Sequence, residues 1–299
     1  VVRRFCAAIA LLVLAAGLTA CSPAPATSSV PTIGPGSPSP TSEPSASPAV
    51  GAIDHETGAT DVVLRFEEGG GFVPMGFFAT EAPIFTLYGD GTVIFKDGFA
   101  APPPADDGLI RVAPFQTVKL TEDQVQSLLQ YAIAGGGLGV ARRDYQSGGA
   151  DLPTATFTVM AAGTKKTVSV MALGMDRTEG PDAQVLKALA GLGDKLRSFG
   201  PEVDGEAAWT PDRWRGVLTE DMGGNPPRPW PWADVAPAEW VQHQEPGAPG
   251  FPVRQMSTSE IDLLNLTGID GGFSGMTLTG PDGKQYFFAL RPLLPDEAY

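Results

Sequence analysis

The chain has 299 residues, with 34 acidic against 20 basic side chains and a net charge of −14, which removes the basic face that nucleic-acid binding needs and predicts no nucleic-acid partner. Cys6 and Cys21 are its only cysteines and His55 and His243 its only histidines, too little sulfur for a thiolate metal centre or a disulfide framework, so neither a metal nor a cofactor is expected. Residues 59–299 are long enough to fold on a hydrophobic core alone.

Arg3 and Arg4 form a short basic start, and Phe5 to Gly17 is an apolar run of 13 residues, the size of a signal-peptide core and too short to span a bilayer as a helix. Leu18-Thr19-Ala20-Cys21 follows directly. This string resembles the bacterial lipoprotein processing signal. The resemblance implies that residues 1–20 are a leader, that Cys21 carries a diacylglyceryl thioether, and that the mature chain starts there. Two acyl chains meet the requirement for stable anchoring, each buried methylene adding about 0.8 kcal/mol. The expected address is the extracytoplasmic face of the cell membrane, with the membrane itself as a partner through the covalent lipid.

Ser22 to Val50 holds eight prolines and eight serines in 29 residues and almost nothing apolar. Such a stretch cannot offset the entropy of ordering itself. Residues 21–58 are therefore read as the lipidated cysteine and a disordered linker, about 30 Å long as a coil and about 90 Å as extended polyproline II. Loss of Arg3 and Arg4 with the leader takes the net charge to −16, since residues 1–20 contain no acid. That acidity keeps an exported domain soluble and disfavours close attraction to anionic headgroups.

Asp61 to Phe66 reads as a strand, and Ile84 to Tyr88 with Thr92 to Lys96 flanks Gly89-Asp90-Gly91 as a hairpin. Phe99 to Pro114, rich in Pro, Asp and Ala, reads as a long connection. Thr121 and Gln124 form a capping box before Val125, Leu128, Leu129, Ala132 and Ile133, a helix that Gly135-Gly136-Gly137 ends. Thr154 to Met160 and Lys166 to Ala172 make a second hairpin, and Val185, Leu189, Leu192 and Leu196 mark a helix over 182–199. Residues 59–200 thus read as the main domain, α+β, with an antiparallel sheet built from hairpins and helices on one face.

Residues 201–299 read as a smaller proline- and tryptophan-rich subdomain that could share the sheet. Thr210-Pro211 is expected to open a short helix containing Trp214, and Gln244 to Pro252 to be irregular. Ser257 with Glu260 is a second capping box before Ile261 and Leu264, and Met276 to Leu278 with Gln285 to Leu290 flanks Pro281-Asp282-Gly283 as a last hairpin. This helix and hairpin parallel residues 121–172, so an internal duplication is one reading.

The strings Phe85-Thr86-Leu87-Tyr88-Gly89-Asp90-Gly91-Thr92-Val93-Ile94-Phe95 and Arg291-Pro292-Leu293-Leu294-Pro295-Asp296-Glu297 resemble an uncharacterised actinobacterial lipoprotein family. The resemblance covers most of residues 60–299 and implies no known activity. Many members of that family carry a cysteine pair in the C-terminal part; this chain does not.

No catalytic constellation emerges from the sequence. His243 has no Gly-x-Ser-x-Gly elbow to serve, Gly272-Phe273-Ser274-Gly275 lacking the last glycine at its place, and no Ser-x-x-Lys occurs. The glycine run at 135–139 closes a helix, whereas a phosphate cradle opens one. Asp90, Asp144, Asp151 and Asp282 fall in turns, where aspartate serves the backbone. All five tryptophans lie within 32 residues, at 209, 214, 230, 232 and 240. An exposed row of Trp230, Trp232 and Trp240 would contact a ligand, while the habitual burial of tryptophan favours a core role. These features point to a membrane-anchored, non-enzymatic binding or structural module that meets a cell-wall component or an envelope protein. The alternative is a cell-wall glycan or peptide hydrolase using paired carboxylates.

Overall fold

Period-two alternation of apolar and polar residues, interrupted by glycine turns, dictates most of the architecture. A computed structural model of the chain describes residues 51–72, 78–96, 109–175, 179–200, 204–220, 226–243, 250–266 and 273–297. The leader, Cys21, the linker up to Val50 and most of the 99–114 connection lie outside these residues. Pro48–Tyr299 forms one compact unit. Its fold is α+β, dominated by antiparallel sheets.

The first sheet contains β1 (Val62–Gly70), β2 (Phe85–Tyr88), β3 (Thr92–Phe95), β5 (Gln116–Lys119), β6 (Asp144–Tyr145), β7 (Pro153–Ala161), β8 (Thr164–Met171) and β9 (Ala207–Ala208) in the order β6-β8-β7-β1-β2-β3-β5-β9. Register places Phe66 opposite Phe85 and Phe157, and Phe85 opposite Phe95, so these rings share one face with Leu64, Leu87 and Val93. Two helices cover that face, α1 (Glu122–Gln130) and α2 (Ala183–Arg197). Val125, Leu128 and Leu129 of the first and Leu189, Leu192 and Leu196 of the second join the phenylalanines in one buried core. The capping box of α1 forms as its sequence requires, Thr121 Oγ1 accepting from the Gln124 amide and Gln124 Oε1 accepting from the Thr121 amide. Past α1 the chain widens into a π-helical turn, Tyr131–Gly135, and the Leu138 and Gly139 amides donate back to Ala132 and Ile133. The glycine run is therefore a C-terminal cap.

The second sheet contains β10 (Arg213–Glu220), β11 (Arg228–Pro229), β12 (Val241–His243), β13 (Phe251–Ser257), β14 (Phe273–Thr279) and β15 (Gln285–Pro292), with β4 (Ile110–Arg111) added to β14. Two expectations are corrected here. Trp214 lies in the central strand β10, not in a helix, because Trp214, Gly216 and Leu218 face one side and Arg215, Val217 and Thr219 the other, and both sides are covered. The end of the segment expected to be irregular opens β13, which pairs with β10 from Val253 to Ser257. A short third helix, α3 (Thr258–Asp262), follows.

The two sheets are separate but exchange small strands. β4, from the first half, pairs with β14, and β9, just before β10, pairs with β5. Their hairpins dock in opposite senses: β1 receives the β7–β8 hairpin through its first strand, whereas β10 receives β14–β15 through its second. That difference in strand order argues against a tandem copy of one unit.

Candidate functional site

Four of the five tryptophans build a core, while Trp209 packs against Phe115 elsewhere. Trp232 and Trp240 are 3% and 5% exposed, Trp214 is buried, and together with Met256, Ile261, Met276, Leu278, Phe288 and Leu290 they fill the outer face of the second sheet. The Trp232 ring centroid lies 5.0 Å from that of Trp230 and 5.2 Å from that of Phe288. The indole N–H of Trp232 donates to the Glu260 carbonyl at 2.9 Å, and that of Trp230 to the Val235 carbonyl at 2.7 Å. Gly216 makes room for this packing: a Cβ there would lie 2.7 Å from Trp240 and 2.8 Å from both Met256 and Phe288. This corrects the reading of Trp230, Trp232 and Trp240 as a ligand-facing row. Only Trp230 keeps partial exposure, and its edge meets Tyr286.

Tyr286 leads to a groove of about 460 Å³, walled by Leu218, Ala236, Pro237, Phe251, Pro252 and Pro281, with Asp282 and Lys284 at the rim. Its mostly apolar lining with a few polar groups is the usual composition of a ligand pocket. Asp282 accepts hydrogen bonds from the Tyr286 hydroxyl at 2.8 Å and the Lys284 amide at 3.1 Å, and the Tyr286 bond is the main cause of its lowered pKa.

The opposite face of the second sheet meets the first sheet across a charged layer that the sequence did not reveal. Arg65 of β1 donates to Asp296 at 2.6 Å, and the fully buried Tyr88 of β2 donates to the same oxygen at 2.7 Å. Arg291 of β15 forks onto Glu297 with both bonds at 2.7 Å, and Glu297 also accepts from the Leu294 amide. Arg213 closes the corner by donating to the carbonyls of Glu297 and Leu294. Burial works against the Glu297 charge, yet Arg291 outweighs it and holds this carboxyl below its ordinary range. For Tyr88, burial and the neighbouring Asp296 push the phenol well above its ordinary value. At one end of the layer Glu67, Glu68, Glu81, Thr154 and Thr156 line a cleft of about 290 Å³. Glu81 accepts from the Gly70 amide at 2.8 Å, and Glu68 accepts from Arg197 Nε at 2.7 Å. Burial raises the pKa of both Glu67 and Glu81.

The remaining sequence candidates serve the backbone or each other. Asp90 accepts from the Thr92 amide and from Lys119, which outweigh burial and lower its pKa. Asp144 opens strand β6 rather than lying in a turn and accepts from the Gln146 side chain, and Asp151 occupies a left-handed turn position. His55 Nε2 lies 3.2 Å from Glu122, and His243 ends strand β12. Among the described residues no three His, Cys, Asp or Glu side chains come together as metal ligands, and no helix is long and apolar enough to cross a membrane. No protein-family model matches the chain, and no curated protein or solved structure matches it.

Proposed function

We propose that the chain is a lipid-anchored envelope protein whose folded part is a non-enzymatic binding or structural module. The observation that carries this reading is Leu18-Thr19-Ala20-Cys21 placed behind 13 apolar residues and ahead of the proline-serine stretch. An acidic domain on such a tether is held away from the bilayer and free to meet a cell-wall component or an envelope protein. Its strongest charges support a structural rather than a chemical role, because Asp296 is spent on Arg65 and Tyr88 and Glu297 on Arg291. The apolar groove under Tyr286 is the surface that suits a partner. Replacing Cys21→Ala releases the protein into the medium and abolishes incorporation of labelled fatty acid; retention in the membrane with undiminished label contradicts the anchor. Cross-linking in intact cells then identifies the partner class.

One observation favours the second reading, a cell-wall glycan or peptide hydrolase. Glu67 and Glu81 line the same cleft, and burial raises both, which suits one of them as the protonated general acid. A hydrolase of this kind digests isolated cell wall and loses that turnover on Glu81→Gln. Absence of turnover by the full chain ends this reading.

A further inference from the structure

Between the end of β8 and the start of α2 lies a cavity of about 360 Å³, with Val170, Ala172 and Leu173 on one wall and Ala183, Leu186 and Ala190 on the other. The sequence opens this space in two ways. Ala183, Leu186 and Ala190 recur three and four positions apart on α2 and so share a face, on which two of the three side chains are single methyl groups. Opposite them the chain leaves β8 through left-handed positions at Ala172 and Gly174, with φ of 57° and 81°, a turn whose small residues fill little of the space. Gln184 and Lys187 are the polar side chains of the lining, and neither has a hydrogen-bond or ion-pair partner among the described residues.

The walls suit an apolar guest because their backbone is largely spent. Val170 pairs within the sheet and α2 bonds within itself, while the Ala172 amide donates to the Pro153 carbonyl at 2.8 Å and the Met175 amide to the Ala172 carbonyl at 3.1 Å. A peptide or a sugar would bury amides or hydroxyls here without partners, which a methylene chain does not. The rim selects charge: Lys187 has no counter-ion, and Asp182, the acid that precedes α2, is paired with Arg142. In the Tyr286 groove, by contrast, Lys284 shares the rim with Asp282, which repels an anion. We propose that the cavity between β8 and α2 binds a fatty acid, its methylene chain held between the two walls and its carboxylate accepting hydrogen bonds from Lys187 and the Gln184 side-chain amide at the rim.

Affinity in such a site divides into two parts. Each methylene that leaves water for the cavity tightens binding about fourfold until the space is filled. The carboxylate adds an exposed ion pair with Lys187, about two- to fivefold. Chain length therefore matters more than the head group, and carbons beyond the capacity of the cavity add nothing. This names a ligand for the binding module without resting on the anchor, which is tested separately by fatty-acid labelling.

Titration of the full Cys21→Ala chain, which carries no acyl group, with hexanoate, octanoate, decanoate and dodecanoate below their micelle concentrations tests the site. Affinity rises about fourfold per methylene and then levels off, and the amide signals of Ala172, Gly174, Leu186 and Ala190 shift. Lys187→Gln weakens decanoate about two- to fivefold and leaves decanol unchanged. Ala190→Leu fills the cavity and removes binding of both. Amides of Phe157 and Val159 report whether that variant folds; should it not, the exposed Lys187→Gln and the wild-type shifts decide. No binding, affinity independent of chain length, binding that survives both substitutions, or shifts gathered at Phe251 and Tyr286 in the other groove overturns the proposal.

Discussion

Where the first sheet lays α1 and α2 across its apolar face, the second has, among the described residues, only the five-residue α3 as an α-helix and fills the same kind of space with Trp214, Trp232 and Trp240. A tryptophan buries on the order of 150–250 Å², so three of them supply in one layer what a pair of helices supplies elsewhere. The exchange has a cost in room: Gly216 has to be bare for Trp240, Met256 and Phe288 to meet over β10. Concentrated tryptophan in a small region without disulfides is here a substitute for a helical layer. The faces on which the sheets meet contrast with both cores: small apolar clusters, Val217 with Val253 and Ala289 and Tyr88 with Ile94 and Leu294, are interleaved there with arginine–carboxylate pairs held by the tail, and none of this is visible as a motif.

A large effect that separates these two modes of cohesion comes from the tail. Asp296→Ala leaves Arg65 and the Tyr88 hydroxyl without their acceptor in a partly buried layer, which costs roughly 2–4 kcal/mol of stability in urea unfolding. Exchange protection then falls first at the tail and β15 and last in the β1–β7 core. A uniform loss across both sheets would show that they do not depend on this joint. The two capping boxes give a smaller and more local comparison. Thr121 Oγ1 accepts from the Gln124 amide, whereas the Ser257 hydroxyl lies within hydrogen-bond reach of the Ser259 hydroxyl and the Glu260 carboxylate. Thr121→Ala should therefore cost about 1 kcal/mol, and Ser257→Ala only a few tenths, both read from thermal melts. Equal losses would mean that the serine caps its helix in solution after all.

The first half was legible because its signals are local. The turn Gly89-Asp90-Gly91, the Thr121 box and the seam at Val185, Leu189, Leu192 and Leu196 each declare an element within a few residues. β10 was missed because Trp214-Arg215-Gly216-Val217-Leu218 carries buried arginine and glycine in a central strand, a pattern that makes sense only once Arg215 faces the charged layer and Gly216 faces Trp240. The layer itself was hidden by distance. Arg65 and Asp296 lie 231 positions apart, and nothing in either neighbourhood marks them as partners. Asp296 and Glu297 close the string Arg291-Pro292-Leu293-Leu294-Pro295-Asp296-Glu297, yet their alternation between two sheets depends on the path of the tail. The tryptophan cluster was visible, and its role as core or contact depended on burial that composition cannot fix.

That role is tested most directly by comparing Trp232→Ala with Tyr286→Ala in equilibrium unfolding of the full chain. A core tryptophan predicts a loss of about 3–5 kcal/mol for Trp232→Ala, while Tyr286→Ala, on the groove, stays folded with a change of roughly 1 kcal/mol. Wild-type stability in Trp232→Ala would contradict the account and return the tryptophans to the surface.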